Sequence, residues 1–108
     1  MLPAIIIWGH VDRERSRNTV FEGTIAHGLL TLALHPNFLY SIVGFRGFSQ
    51  MFLYGYDKVR FPELLPAGGS VRMRATLAKT QYTEVGVRAT IELELESNRS
   101  QKPVCVAE

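Results

Sequence analysis

A single cysteine, Cys105, is present in the 108 residues. An internal disulfide is therefore impossible, and a cysteine-cluster metal site is excluded with it. Long hydrophobic runs are absent too: the apolar stretch from Leu2 to Trp8 is too short to span a bilayer. It also lacks a basic n-region and a small-residue cleavage site, so it does not read as a signal peptide. No large charge excess exists, since 12 Lys and Arg face 10 Asp and Glu for a net +2. The pI near 8.9 is a mild bias, and the basic residues are scattered rather than gathered into the patch that a phosphate backbone requires. Nucleic acid is not an expected partner, and neither is a membrane. Internal repeats and low-complexity segments are missing. What remains is one ordinary domain, residues 1–108, with a modest core and the cytoplasm as its default compartment.

The most informative stretch is Gly23–Leu34. Ile25, Leu29, Leu32 and Ala33 recur at helical spacing, with Leu30 and Leu34 beside them, and only His27 and Thr31 interrupt the apolar surface. A helix apolar on nearly all sides belongs inside something. Thr24 is the expected N-cap. The proline of His35-Pro36 should kink the helix or start a new turn, with Asn37–Val43 continuing it until Gly44 and Gly47.

Strand patterns dominate elsewhere. Residues 1–9 carry three consecutive isoleucines and favour an extended strand, with Pro3 at its start. His10–Ser16 reads as a short helix capped by Asp12, with Glu14 in its first turn. Phe48–Phe61 is rich in aromatic and branched residues, which predicts a long strand bent at Gly55. After the turn-rich Pro62–Gly69, Ser70–Thr80 alternates, with Val71, Met73, Ala75 and Leu77 on one side. Val85–Glu96 alternates as well, with Val87, Ala89, Ile91, Leu93 and Leu95 facing inward. Ser97–Gln101 should be a hairpin loop and Lys102–Ala107 a last short strand in which Cys105 is buried and inert. The expected architecture is α+β, a central helix packed against a curled antiparallel sheet.

Three segments carry a resemblance: FEGTIAHGLLTLAL, YGYDKVRFPELLPAGGSVRMRATL and the terminal KPVCVAE. Together they resemble the MaoC-like dehydratases, the (R)-specific enoyl-CoA hydratase family. The resemblance covers roughly residues 8 to 108 and leaves residues 1–7 outside it. It implies the hotdog fold, in which a long helix is wrapped by an antiparallel sheet, and a homodimer or higher oligomer. It further implies hydration of trans-2-enoyl-CoA, or dehydration of 3-hydroxyacyl-CoA, with no metal or redox cofactor. Against the family's usual extent, the chain looks shortened at its front and clipped at its end.

Such chemistry needs a carboxylate and an imidazole to hold and deprotonate water. It also needs a backbone N–H to receive the charge that builds on the thioester oxygen. By resemblance, the imidazole is His10 and the oxyanion N–H belongs to Gly28. The family's aspartate falls at position 5, where this chain has Ile5. The family's proline before the histidine is replaced by Ile7, and Leu53 stands where some members have asparagine. Asp12, Glu14 and Glu22 are the carboxylates near enough in sequence to substitute, although Asp12 also serves as a helix cap. His10 accordingly has two readings, a working acid–base group or a remnant of one.

His27 is either a packed histidine or a substrate contact. Gly28 either admits a thioester oxygen or only allows a close backbone approach. Lys58 and Arg60 either meet coenzyme A phosphates or form a solvated strand face. Tyr54 and Tyr56 read as core or dimer contacts. His10, His27 and His35 lack a carboxylate at ligand spacing, so no metal site is expected.

Overall fold

The computed structural model describes residues 13–17 and 23–108. Its elements in chain order are helix α1 (Arg13–Arg17), helices α2 (Gly28–Ala33) and α3 (His35–Ile42), then strands β1 (Val59–Arg60), β2 (Val71–Thr83), β3 (Gly86–Ser97) and β4 (Cys105–Ala107). The expected strand over residues 1–9, the Asp12 cap, and Ile5, His10 and Glu22 lie outside the described residues. The four strands form one antiparallel sheet in the order β1-β4-β3-β2.

The alternation read in the two long strands is what the structure uses, but only along part of their length. Val71, Met73 and Ala75 are half-buried, while Arg72 and Arg74 are exposed and both reach Glu96 across the strand pair. On β3, Leu93 and Leu95 are buried, yet Val87 and Ala89, expected to face inward, are exposed. Leu77 is likewise exposed rather than inward, and the register slips between Leu77 and Lys79. The physical reason is coverage. Helix α3 packs against β2 and helix α2 against β4, so the far half of the hairpin extends past anything in the described chain that could bury it.

The core is small: Leu32, Leu95, Val104, Cys105 and Ala107, with Leu34, Phe38, Val59, Leu65, Val71 and Met73 packed around them. Burial of Cys105 agrees with the expectation from its apolar strand, and the loss of hydration pushes its thiol pKa up.

Three expectations need correction. First, the central helix begins at Gly28, not Ile25, and His27 rather than Thr24 occupies the N-cap position. Residues 24–26 are instead drawn out straight by an antiparallel bridge. Ala26 N–H donates to Leu65 O at 2.8 Å and Ala67 N–H donates to Thr24 O at 2.8 Å, with Ile25 opposite Pro66. Two cross-chain hydrogen bonds outweigh the helical preference of three residues. Second, the helix is not enclosed: Thr31 and Leu32 are buried, but Leu29 is 73% and Leu30 56% exposed. Third, of the long strand read in Phe48–Phe61 only Val59–Arg60 forms, opposite Ala107 and Val106, with Asp57 N–H donating to Glu108 O and Glu108 N–H to Lys58 O, both at 2.9 Å, just before it. The break at His35-Pro36 is as expected: Leu34 forms a turn, Pro36 lies in the first turn of α3, and the helix ends at Ile42.

Candidate active site at the start of the central helix

Gly28 is the first helical residue of α2, so its N–H lies outside the intrahelical ladder. The carbonyl four residues back, Thr24 O, already accepts from Ala67. The bridge that straightens residues 24–26 therefore also frees the amide of Gly28. A methyl group at this position would stand 2.9 Å from Cγ and Cδ1 of Phe61 and 3.0 Å from Cδ2. Close approach of the Phe61 ring alone thus explains a glycine here. Phe61 is a residue that the sequence reading missed, and its aromatic character gave no signal that it closes over the helix start.

His27 caps this helix through its backbone, not its side chain. Its carbonyl accepts both Thr31 N–H at 3.1 Å and the Thr31 hydroxyl at 3.3 Å. The imidazole stands exposed beside Gly28. Lys58 and Arg60 flank Val59, which packs on the core. Strand alternation sends the two cations to the opposite face, and the Arg60 guanidinium folds back to donate to Val59 O at 2.8 Å. The structure thus brings His27 and Gly28 together and puts Lys58 and Arg60 on the other side of β1.

A second polar cluster sits at the helix break. His35 is buried, and its Nδ1–H donates to Leu32 O at 2.9 Å. The Tyr56 hydroxyl approaches the same nitrogen at 3.2 Å, with the two rings edge to face. Burial, and to a lesser degree the nearby Cys105, raise the Tyr56 pKa. Tyr54 is different: it is largely exposed, with the Arg88 guanidinium 4.0 Å above its ring. Among the described residues no group of His, Cys, Asp or Glu is arranged to hold a metal ion.

Comparison with known proteins decides the ancestry. Residues 7–98 match the model of the MaoC like domain. The chain belongs to the MaoC-like domain family. The 3-hydroxyacyl-thioester dehydratase Z of Mycobacterium tuberculosis is 41% identical over 102 residues, covering 94% of this chain and 68% of that protein. Nodulation protein N of Rhizobium leguminosarum bv. viciae is 33% identical over 106 residues, 91% of this chain and 63% of that protein. The chain thus spans about two thirds of the length of these curated relatives.

Two solved structures share the fold. A monoamine oxidase regulatory protein from Archaeoglobus fulgius superposes with a TM-score of 0.76 at 24% identity, over 94% of this chain and 68% of that one. The MaoC-like dehydratase from Rhodospirillum rubrum does so with a TM-score of 0.69 at 19% identity, over 92% and 68%. The MaoC-like hotdog architecture, a helix against a mostly antiparallel sheet that is not closed, is therefore the fold of this chain. Among the described residues, no helix is long and apolar enough to cross a membrane.

Proposed function

We propose that this MaoC-like chain adds water to trans-2-enoyl-CoA thioesters, or removes it from 3-hydroxyacyl-CoA thioesters. The observation that carries the reading is its 41% identity to a 3-hydroxyacyl-thioester dehydratase across 94% of its length. In this reading the thioester oxygen accepts a hydrogen bond from the Gly28 N–H, which no helical carbonyl claims. His10 holds and deprotonates the water whose oxygen attacks the β-carbon, and a proton returns to the α-carbon. The enolate charge is met by the backbone amide, and His27 lines the approach to it. The chemistry is acid–base throughout and calls on no metal or redox cofactor. The cytoplasm is the compartment we assign.

The test follows loss of crotonyl-CoA absorbance at micromolar protein. Turnover that falls by orders of magnitude in His10→Ala supports the reading. Equal rates in the two proteins remove His10 from the mechanism.

One observation favours a second reading. Ile5 occupies the place of the family's aspartate, and a hotdog without its acid–base pair would hold acyl-CoA without turning it over, or serve in assembly. Calorimetry with a non-hydratable acyl-CoA separates those two: heat of binding marks a ligand module, none marks an assembly protein.

We further propose that the working unit is a homodimer or higher homo-oligomer. The radius of gyration is 17.0 Å, against about 13 Å for a compact domain of this length. The exposed surface is 8660 Å², against about 6000 Å² for a compact monomer of this mass. Light scattering that returns a monomer near 12.2 kDa would overturn this.

A further inference from the structure

The ladder of helix α2 ends one donor short. In an unbroken helix Leu32 O would accept from the N–H of residue 36, but residue 36 is proline and has none. His35 supplies a donor from its side chain, with Nδ1 2.9 Å from Leu32 O in a buried contact. A carbonyl only accepts, so Nδ1 carries the proton. The Tyr56 hydroxyl, 3.2 Å from the same nitrogen, is a second acceptor for that proton. The two rings meet edge to face, with centroids 5.6 Å apart. The proposed reaction draws on neither residue.

Tyr56 also opens the segment that runs to the other end of the helix. After it, Asp57 and Lys58 exchange backbone hydrogen bonds with Glu108, and Val59 and Arg60 pair with β4. Phe61 then stands over Gly28. The point where a Gly28 Cβ would lie is 2.9 Å from Cγ and Cδ1 and 3.0 Å from Cδ2 of that ring. Three nearly equal distances to one ring put the point over its face, so a Gly28 Hα is directed at the π cloud. Residues 56 to 61 span at most about 18 Å, and the six-residue helix is about 9 Å long. One short segment therefore holds α2 at both ends, through His35 beyond its last turn and through Phe61 at its first residue.

We propose that Tyr56 and His35 are positioning residues. Their hydrogen bond fixes segment 56–61 along α2 and thereby sets the Phe61 ring on the Gly28 backbone. What Gly28 does chemically rests on the hydratase reading, but the clasp itself is tested by NMR without turnover. Protons over an aromatic face resonate upfield, so a Gly28 Hα should lie well upfield of the other glycine α-protons, and Phe61→Ala should abolish this. Tyr56→Phe removes one oxygen atom and keeps the ring, and it should move the resonance back toward the ordinary range. His35→Leu should do the same. His35→Asn, which keeps an N–H donor in the place of Nδ1, should retain the wild-type shift. Met73→Ala, which loosens the core from β2 at the opposite edge of the sheet, should leave it in place.

A Gly28 Hα that is ordinary in the wild-type chain, unmoved by Tyr56→Phe, or moved as far by Met73→Ala would overturn the proposal. Crotonyl-CoA hydration gives the second readout. Where the wild-type chain turns over, Tyr56→Phe should lower kcat by about tenfold to a hundredfold with KM little changed. An unaltered kcat would overturn the positioning role even if the resonance moves. A resonance that responds as expected in a chain that does not hydrate crotonyl-CoA would instead sink the hydratase reading and leave the clasp standing.

Discussion

Replacing Gly28 by alanine sets two effects of known size against each other. Alanine is the better helix former, by at most about 1 kcal/mol, at a position whose backbone is already helical. Against that, the new methyl group would meet Phe61 ring carbons at 2.9–3.0 Å, where carbon atoms normally rest at about 3.5–4.0 Å. Forcing such an overlap costs about 1–3 kcal/mol in packed surroundings. Phe61 is 37% exposed, so its ring can tilt and the cost sits at the lower end. The net expectation is a destabilisation between zero and about 1 kcal/mol, a fall of at most about 4–8 °C in Tm for a domain of this size. In a Phe61→Ala background the obstacle is gone, and the same substitution should be neutral or stabilising. Thermal and urea unfolding of the four proteins of this cycle give the coupling directly. A stabilising Gly28→Ala in the wild-type background, or an effect independent of Phe61, would refute the close contact and with it the account of why glycine stands there.

Leu95→Ala, at a fully buried position near the C-terminal end of β3, should cost about 2–5 kcal/mol in urea unfolding. Leu77→Ala, at a position 62% exposed, should cost well under 1 kcal/mol in dilute protein. Cys105 should resist a thiol reagent in the native protein and react fully once unfolded. Because burial raises its pKa, the folded state holds more protons than the unfolded state at alkaline pH. The contribution of this thiol is therefore fully present well below about pH 8.5, where a free thiol is half ionised, and is lost as pH rises from there through the folded value. Cys105→Ala should flatten the first part of that decline, and the raised Tyr56 pKa acts in the same direction at higher pH. Ile5→Asp should raise the crotonyl-CoA hydration rate by an order of magnitude or more, and no change would show that position 5 does not face the reacting water.

Much was legible from spacing alone, wherever a residue's environment depends on its near neighbours. The turn at Leu34, forced by the proline after His35, follows from the covalent chemistry of Pro36. So do the two-residue periods of β2 and β3, and the buried Cys105 in its apolar strand. The likeness to MaoC-like proteins resides in the same local strings.

Other features were decided by contacts between segments far apart in the chain, which periodicity does not record. Residues 24–26 have helical spacing but become extended because residues 65–67 hydrogen-bond to them, and that delays the helix to Gly28. Phe61 closes over that glycine from thirty-three positions away. The aromatic run before Val59 has strand chemistry, yet Phe48–Tyr56 pairs with no strand among the described residues. An amino-acid pattern states what a segment would bury, while the fold settles whether a partner arrives to bury it.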